Sequence, residues 1–157
     1  QIGFSPGFRW GPIILSVLII RRPPRSTLAA ITYPYSTLSD MSGEMIKNVL
    51  EDVCDNLFNP DPYKQQGGDM VRVGGMSYTC DPNAAMGNRI RDMRLDGKPI
   101  EAGKTYKVAG WAPVAEGAKG EPIWDVVAKW LRDRKVVTPR QLNMPKLVGV
   151  ARNPGIA

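Results

Sequence analysis

The 157-residue chain is 43% apolar and 23% charged, with a formal net charge of +6. This is the profile of one globular domain with a real hydrophobic core, not of a disordered segment. It contains no histidine, which excludes His-based metal sites, Ser-His-Asp triads and imidazole general bases. The positive charge favours anionic substrates or acidic partners. Lys and Arg are scattered, however, with no dense basic helix and no RNA-binding signature, so no nucleic acid is expected.

Residues 1–11, QIGFSPGFRWG, place Phe4, Phe8 and Trp10 around Gly3, Gly7 and a lone arginine, Arg9. The planar fork of an arginine suits a sulfate, phosphate or carboxylate group; a surface arginine stacked on Trp10 fits the same local pattern. Residues 12–30 fit badly with the rest. Residues 13–20 are almost continuously apolar but too short to span a bilayer, so no membrane is expected. The basic, proline-rich RRPPRST that follows lies on the wrong side for a signal peptide. Two readings stay open: a buried strand ending in an exposed turn, or a foreign segment resembling translated adapter sequence. No function is placed there.

Residues 31–35 (ITYPY) read as a short strand ended by Pro34. A helix follows over 42–58, with Ser42 as N-cap and Glu44 near the positive end of the dipole. Ile46, Val49, Leu50, Val53 and Leu57 form its apolar face, and Glu51, Asp52 and Asp55 its solvated side. Asn59-Pro60 ends it. The stretch 59–75, NPDPYKQQGGDMVRVGG, then organises the chain. Pro60 and Pro62 stop what precedes them, Tyr63-Lys64-Gln65-Gln66 forms a platform, and Gly67-Gly68 permits positive φ. Residues 70–73 alternate like a strand before Gly74-Gly75. The stretch reads either as a glycine-rich connection into a core strand or as backbone that approaches a ligand closely.

Strands are expected over 76–80, 89–95 and 105–110, with Asp96-Gly97 as a tight turn before 98–100. Residues 111–122, WAPVAEGAKGEP, form an irregular loop. A second helix carries Ile123, Val126, Val127, Trp130 and Leu131 on one face, with Trp130 in the core. Residues 146–150 form a last strand and 153–157 a frayed tail. Cys54 and Cys80 lack metal-ligand spacing; they are a disulfide, two buried thiols or unrelated, with buried thiols the default. Strands mixed with two helices indicate an α+β fold. If the irregular segments converge, they bring together Arg9, Tyr63, Gln65, Gln66, Arg72 and Trp111. That is a binding set without a nucleophile or base. Asp69 and Asp125 are its only nearby carboxylates, too few for a hard-cation site.

The runs GFSPGFRWG, ITYP, MSGEMIKNVLEDVCDNLFNPDPYKQQGGDMVRVGG and YKVAGWAPVAEGAKGEPIWDVV closely resemble the C-terminal domain of the SoxB thiosulfohydrolases, a branch of the 5′-nucleotidase family. The likeness covers nearly everything except 12–30 and weakens after Arg132. Lys64 departs from it, standing where that family usually has a second tyrosine. The resemblance implies a 5′-nucleotidase C-terminal-domain-like fold over residues 1–152, a mixed sheet packed with two main helices. It further implies a substrate-binding set of Arg9, Tyr63, Gln66, Gly67, Gly68, Asp69, Arg72 and Trp111, with Arg9 on the sulfonate oxyanion. Trp111 falls where nucleotidase relatives carry a base-stacking aromatic. No catalytic residue, metal or cofactor is expected on this chain.

By the same resemblance, two manganese ions belong to an N-terminal metallophosphoesterase domain that the chain lacks, which leaves the chain inactive alone. The substrate is a cysteine-bound thiosulfonate on the arm of SoxY, in the SoxYZ carrier complex. Water activated by the metals releases sulfate from it, in the periplasm, behind a signal peptide. Two other readings stand beside this one: the substrate domain of a nucleotide phosphohydrolase, and a non-catalytic anion- or carrier-binding module.

Overall fold

Ser42 starts the helix that the sequence marks most clearly. Its backbone is extended, and its side-chain oxygen accepts the Met45 N–H at 3.0 Å, satisfying one of the four donors that every helix start leaves open. The computed structural model describes residues 2–5, 35–67, 70–110, 120–138 and 143–150. The expectations for 6–34, 68–69, 111–119 and 151–157 therefore lie outside the described residues. In chain order the elements are β1 (Ile2–Ser5), β2 (Thr37–Ser42), α1 (Gly43–Phe58), a 3-10 turn (Pro62–Lys64) and β3 (Arg72–Gly74). There follow β4 (Met76–Cys80), β5 (Ile90–Leu95), β6 (Lys98–Pro99), β7 (Thr105–Gly110), α2 (Ile123–Arg134) and β8 (Lys146–Leu147).

The fold is α+β, and its strands divide between two mixed sheets. One has the order β2-β7-β1-β3, the other β6-β5-β4-β8. In the first, β1 lies parallel to β7 and antiparallel to β3, while β2 runs antiparallel to β7. In the second, β4 pairs antiparallel with β5 and parallel with β8. The Asp96-Gly97 turn joins β5 to β6 with φ of 51° and 79°, the doubly positive backbone of a tight hairpin. A register shift between Ser77 and Thr79 leaves an extra residue on β5. Asp92 takes a positive φ there, as bulges favour.

The core lies where α1 meets both sheets. Ile46, Leu50 and Cys54 from α1 pack with Met76, Tyr78, Cys80 and Ile90 from one sheet. Ile2, Met41 and Val108 from the other complete it. The spacing of Ile46, Leu50 and Cys54 keeps one stripe of α1 turned inward, and each large apolar side chain so buried contributes about 1.5–3 kcal/mol. The start of α1 is tied down by the loop ahead of β7: Gly43 N–H donates to Lys104 O and Glu44 N–H to Ala102 O, both at 3.0 Å.

Several expectations change. β1 and β2 both escape the sequence pattern: β1 is four residues long and includes a glycine, and β2 buries only Met41 deeply. Both are strands because β7 supplies their partners. Tyr35, assigned to a strand over 31–35, makes only an isolated bridge to Pro122. β3 starts at Arg72, not at 70, and β8 ends at Leu147. Arg89 precedes β5, and its side chain turns inward. The acidic flank of α1 is not all solvated. Glu51 is buried and Asp55 is paired with the buried Arg89, because a loop from the second sheet brings N–H and guanidinium donors onto that flank. Trp130 is 47% exposed and so is not core. α2 buries none of its residues, and the Arg134 guanidinium lies 5.8 Å from the Trp130 ring centroid, an exposed-face arrangement. No helix among the described residues is long and apolar enough to cross a membrane.

Candidate functional site

Four strand termini meet at one end of the first sheet. Phe4 of β1 lies opposite Gly110 of β7, and Ser5 lies opposite Arg72, the first residue of β3. Thr37, the first residue of β2, is also opposite Gly110. The chain therefore leaves this end after Ser5 towards Arg9, and after Gly110 directly into Trp111. It arrives there at Arg72 from Gly68-Asp69. Arg9, Gly68, Asp69 and Trp111 themselves lie outside the described residues. Glu121 is anchored beside β2, where Ser36 N–H and Oγ donate to its main-chain oxygen at 2.9 and 2.7 Å. A Cβ at Gly120 would run into Ser36 O, so this close approach requires glycine.

Tyr63, Gln65, Gln66 and Gly67 occupy one continuous segment between α1 and β3. Asp61 caps the 3-10 turn by accepting Tyr63 N–H at 3.1 Å, with Pro62 in its first turn, the pairing that such turns favour. Tyr63 then stands 99% exposed, and Gln66 is exposed too. The Gln65 side chain instead turns back to donate to Asn59 O at 2.7 Å. Gly67 has φ of 75° and donates its N–H to Asn56 O at 3.1 Å. Arg72 is exposed on β3.

Beneath this platform lies a polar scaffold that sequence reasoning missed. Arg89 Nη1 donates to Asp55 Oδ1 at 2.6 Å, and its Nε and Nη2 reach Ala84 O and Phe58 O at 2.8 and 3.3 Å. Asp55 also accepts from Asn59 Nδ2 at 2.8 Å, and Asn59 Oδ1 accepts Asp61 N–H at 3.0 Å. The Arg89 guanidinium, followed by the Asn59 amide, holds the Asp55 carboxyl below its ordinary pKa. Glu51 accepts Gly87, Arg89 and Ile90 N–H at 2.8, 3.4 and 2.8 Å, which fixes the loop that carries Arg89. The Asn-Pro-Asp-Pro spacing is a local signal for the turn. The Arg89 contribution has none, since it depends on tertiary pairing.

The described residues include no cluster of three or more His, Cys, Asp or Glu side chains able to hold a metal. Asp125 is exposed in the first turn of α2. With no histidine in the sequence, these residues do not fit a two-metal centre. What they offer is an exposed tyrosine, amides, a guanidinium and glycine backbone: groups that bind and orient.

Residues 34–129 match the 5′-nucleotidase C-terminal domain family. No curated protein sequence matches the chain. Among solved structures, the chain is similar to the sulfate thiohydrolase SoxB of Thermus thermophilus, solved in complex with glycerol. Identity is 33% and the TM-score 0.75, over 97% of this chain and 29% of that one. A 5′-nucleotidase precursor, also from Thermus thermophilus, is 16% identical with a TM-score of 0.62, over 95% of this chain and 32% of that one. The NAD nucleotidase NadN of Haemophilus influenzae is 16% identical with a TM-score of 0.67, over 93% and 29%. The last two likenesses show the shared fold. The chain covers less than a third of each of these proteins. It belongs to the 5′-nucleotidase C-terminal domain family.

Proposed function

We propose that the chain is the substrate-binding domain of a SoxB-like thiosulfohydrolase, which hydrolytically releases sulfate from a cysteine-bound thiosulfonate on the SoxY carrier. The observation that carries this reading is the 33% identity to a sulfate thiohydrolase across 97% of the chain, about twice the identity to the two nucleotidases. The meeting of strand ends at Ser5, Gly110 and Arg72 supports it. Loops that leave one sheet end together are the usual bearers of a binding site on a rigid scaffold.

In this reading Arg9 grips the sulfonate oxyanion with its planar fork, and Arg72 adds positive charge beside it. Tyr63 and Trp111 offer flat faces to the carrier arm, while the Gly67-Gly68 backbone allows it close approach. The Gln66 amide N–H donates to the thiosulfonate, and Asp69 offers an acceptor to donors on the carrier arm. The two manganese ions and their ligands belong to the metallophosphoesterase domain outside this chain, in a protein that works in the periplasm with SoxYZ as partner. The chain alone is inactive.

A second reading, a nucleotide phosphohydrolase domain, rests on the shared fold with the two nucleotidases. The test of the first is sulfate release from thiosulfonate-bearing SoxY by the full-length protein and its Arg9→Ala variant. Loss of about 10²-fold in turnover, the scale of one oxyanion donor, supports it. Absence of sulfate release from the unaltered protein overturns it.

A further inference from the structure

We infer that Cys54 and Cys80 are a disulfide-forming pair that locks α1 onto β4 beneath the Tyr63 platform. The two sulfurs lie 3.7 Å apart, and both residues are free thiols buried in the core. They are the only cysteines in the chain. A disulfide has an S–S length of about 2.05 Å, so bond formation draws the two sulfurs together from contact distance. The residues are 26 positions apart, and joining them removes loop-closure freedom from the unfolded chain.

Either thiol can donate to the other across this contact; the contact with Cys80 and then burial push the Cys54 thiol up. The bond forms by thiol–disulfide exchange through a mixed disulfide; in one order Cys80 attacks first, and the two roles can be exchanged. With oxidised glutathione as the co-reactant, the Cys80 thiolate attacks one glutathione sulfur. A Cys80–glutathione bond forms, the glutathione S–S bond breaks, and one glutathione thiolate leaves. Cys54 then gives up its proton and attacks the Cys80 sulfur, expelling the second glutathione thiolate. Two protein thiols are oxidised by two electrons, and one glutathione disulfide is reduced to two thiols.

Cys54 is 0% and Cys80 2% exposed, so this exchange takes place before the core closes, during folding. Afterwards the bond is shielded from reductant. The consequence reaches the platform, because Asp55 adjoins Cys54 and holds Asn59, on which the Tyr63 turn is built.

The test is to refold the chain from guanidinium chloride in buffers of oxidised and reduced glutathione, then count thiols in acid-quenched, denatured samples. The expected result is complete loss of both thiols, with a peptide map linking Cys54 to Cys80. The glutathione ratio needed to keep the pair reduced should be about a hundredfold or more higher under native conditions than in denaturant. The oxidised protein should also melt about 5–10 °C above the reduced one, a shift absent from Cys54→Ala. Equal ratios in the two conditions, thiols that stay free, or linkage between two copies would each overturn the inference.

Discussion

Arg89 and Asp55 form an ion pair at 2.6 Å across a separation of 34 residues, joining the approach to β5 with the last turns of α1. Arg89 is 2% exposed at its side chain, so its charge has little access to water. Its other bonds go to carbonyls of Ala84 and Phe58. The pair thus welds the helix end, and the turn built on it, to the second sheet. Arg89→Met should lower the urea midpoint and leave the Tyr63 segment more open to proteolysis. An unchanged cleavage pattern would separate that segment from Arg89.

Glu51 sits on the same flank and supplies the acceptor for three loop N–H groups. Glu51→Leu should cost about 2–5 kcal/mol, because at least two buried donors lose their partner. Glu51→Gln, which keeps one acceptor oxygen, should cost less. Equilibrium urea unfolding of the two variants checks the order.

The pH response follows from Asp55. Its folded pKa is depressed, first by the Arg89 hydrogen bond and then by that of Asn59. The folded state therefore favours the ionised form, and the contribution is present above the unfolded-state pKa. It is lost as pH falls from about 4 through the lower folded value. Urea midpoints should drop more steeply below about pH 4 in the unaltered protein than in Asp55→Asn. Equal slopes would show that the pair does not set acid stability.

Gly43 is confined by packing at the start of α1. A Cβ there would run into Glu101 O and lie 2.8 Å from Ile100 Cγ2. Gly43→Ala should therefore destabilise by about 1–3 kcal/mol through overpacking, although alanine is the better helix former. Thermal unfolding measures the sign directly.

Trp130 provides the opposite case. With 47% exposure and its ring near Arg134, Trp130→Ala should cost about 1 kcal/mol or less, not the roughly 3–5 kcal/mol of a core aromatic. A core-sized loss in chemical denaturation would place the ring in an interface.

These residues show which features local sequence encodes. Ser42, Asp96-Gly97 and the strand over 76–80 are legible, because caps, tight turns and short strands are written in neighbouring residues. β1, β2 and the burial of Glu51 are not. A strand with one deeply buried residue is defined by its partner, and a buried carboxylate by donors that arrive from distant loops. Trp130 shares helical spacing with core residues, but spacing identifies a face without saying what covers it. At the candidate site, the irregular character of segment 63–67 could be read from Pro60, Pro62 and the glycines. Its support by Arg89, and the neighbouring ends of β1, β3 and β7, required the topology.

The most direct measurement of the proposed function uses the full-length, manganese-loaded protein. Sulfate release from thiosulfonate-bearing SoxY would be followed beside phosphate release from AMP. A thiosulfohydrolase should release sulfate with little phosphate, and Arg9→Ala should suppress it. Phosphate without sulfate would contradict the proposal and assign segment 63–67 and its neighbours to a nucleotide.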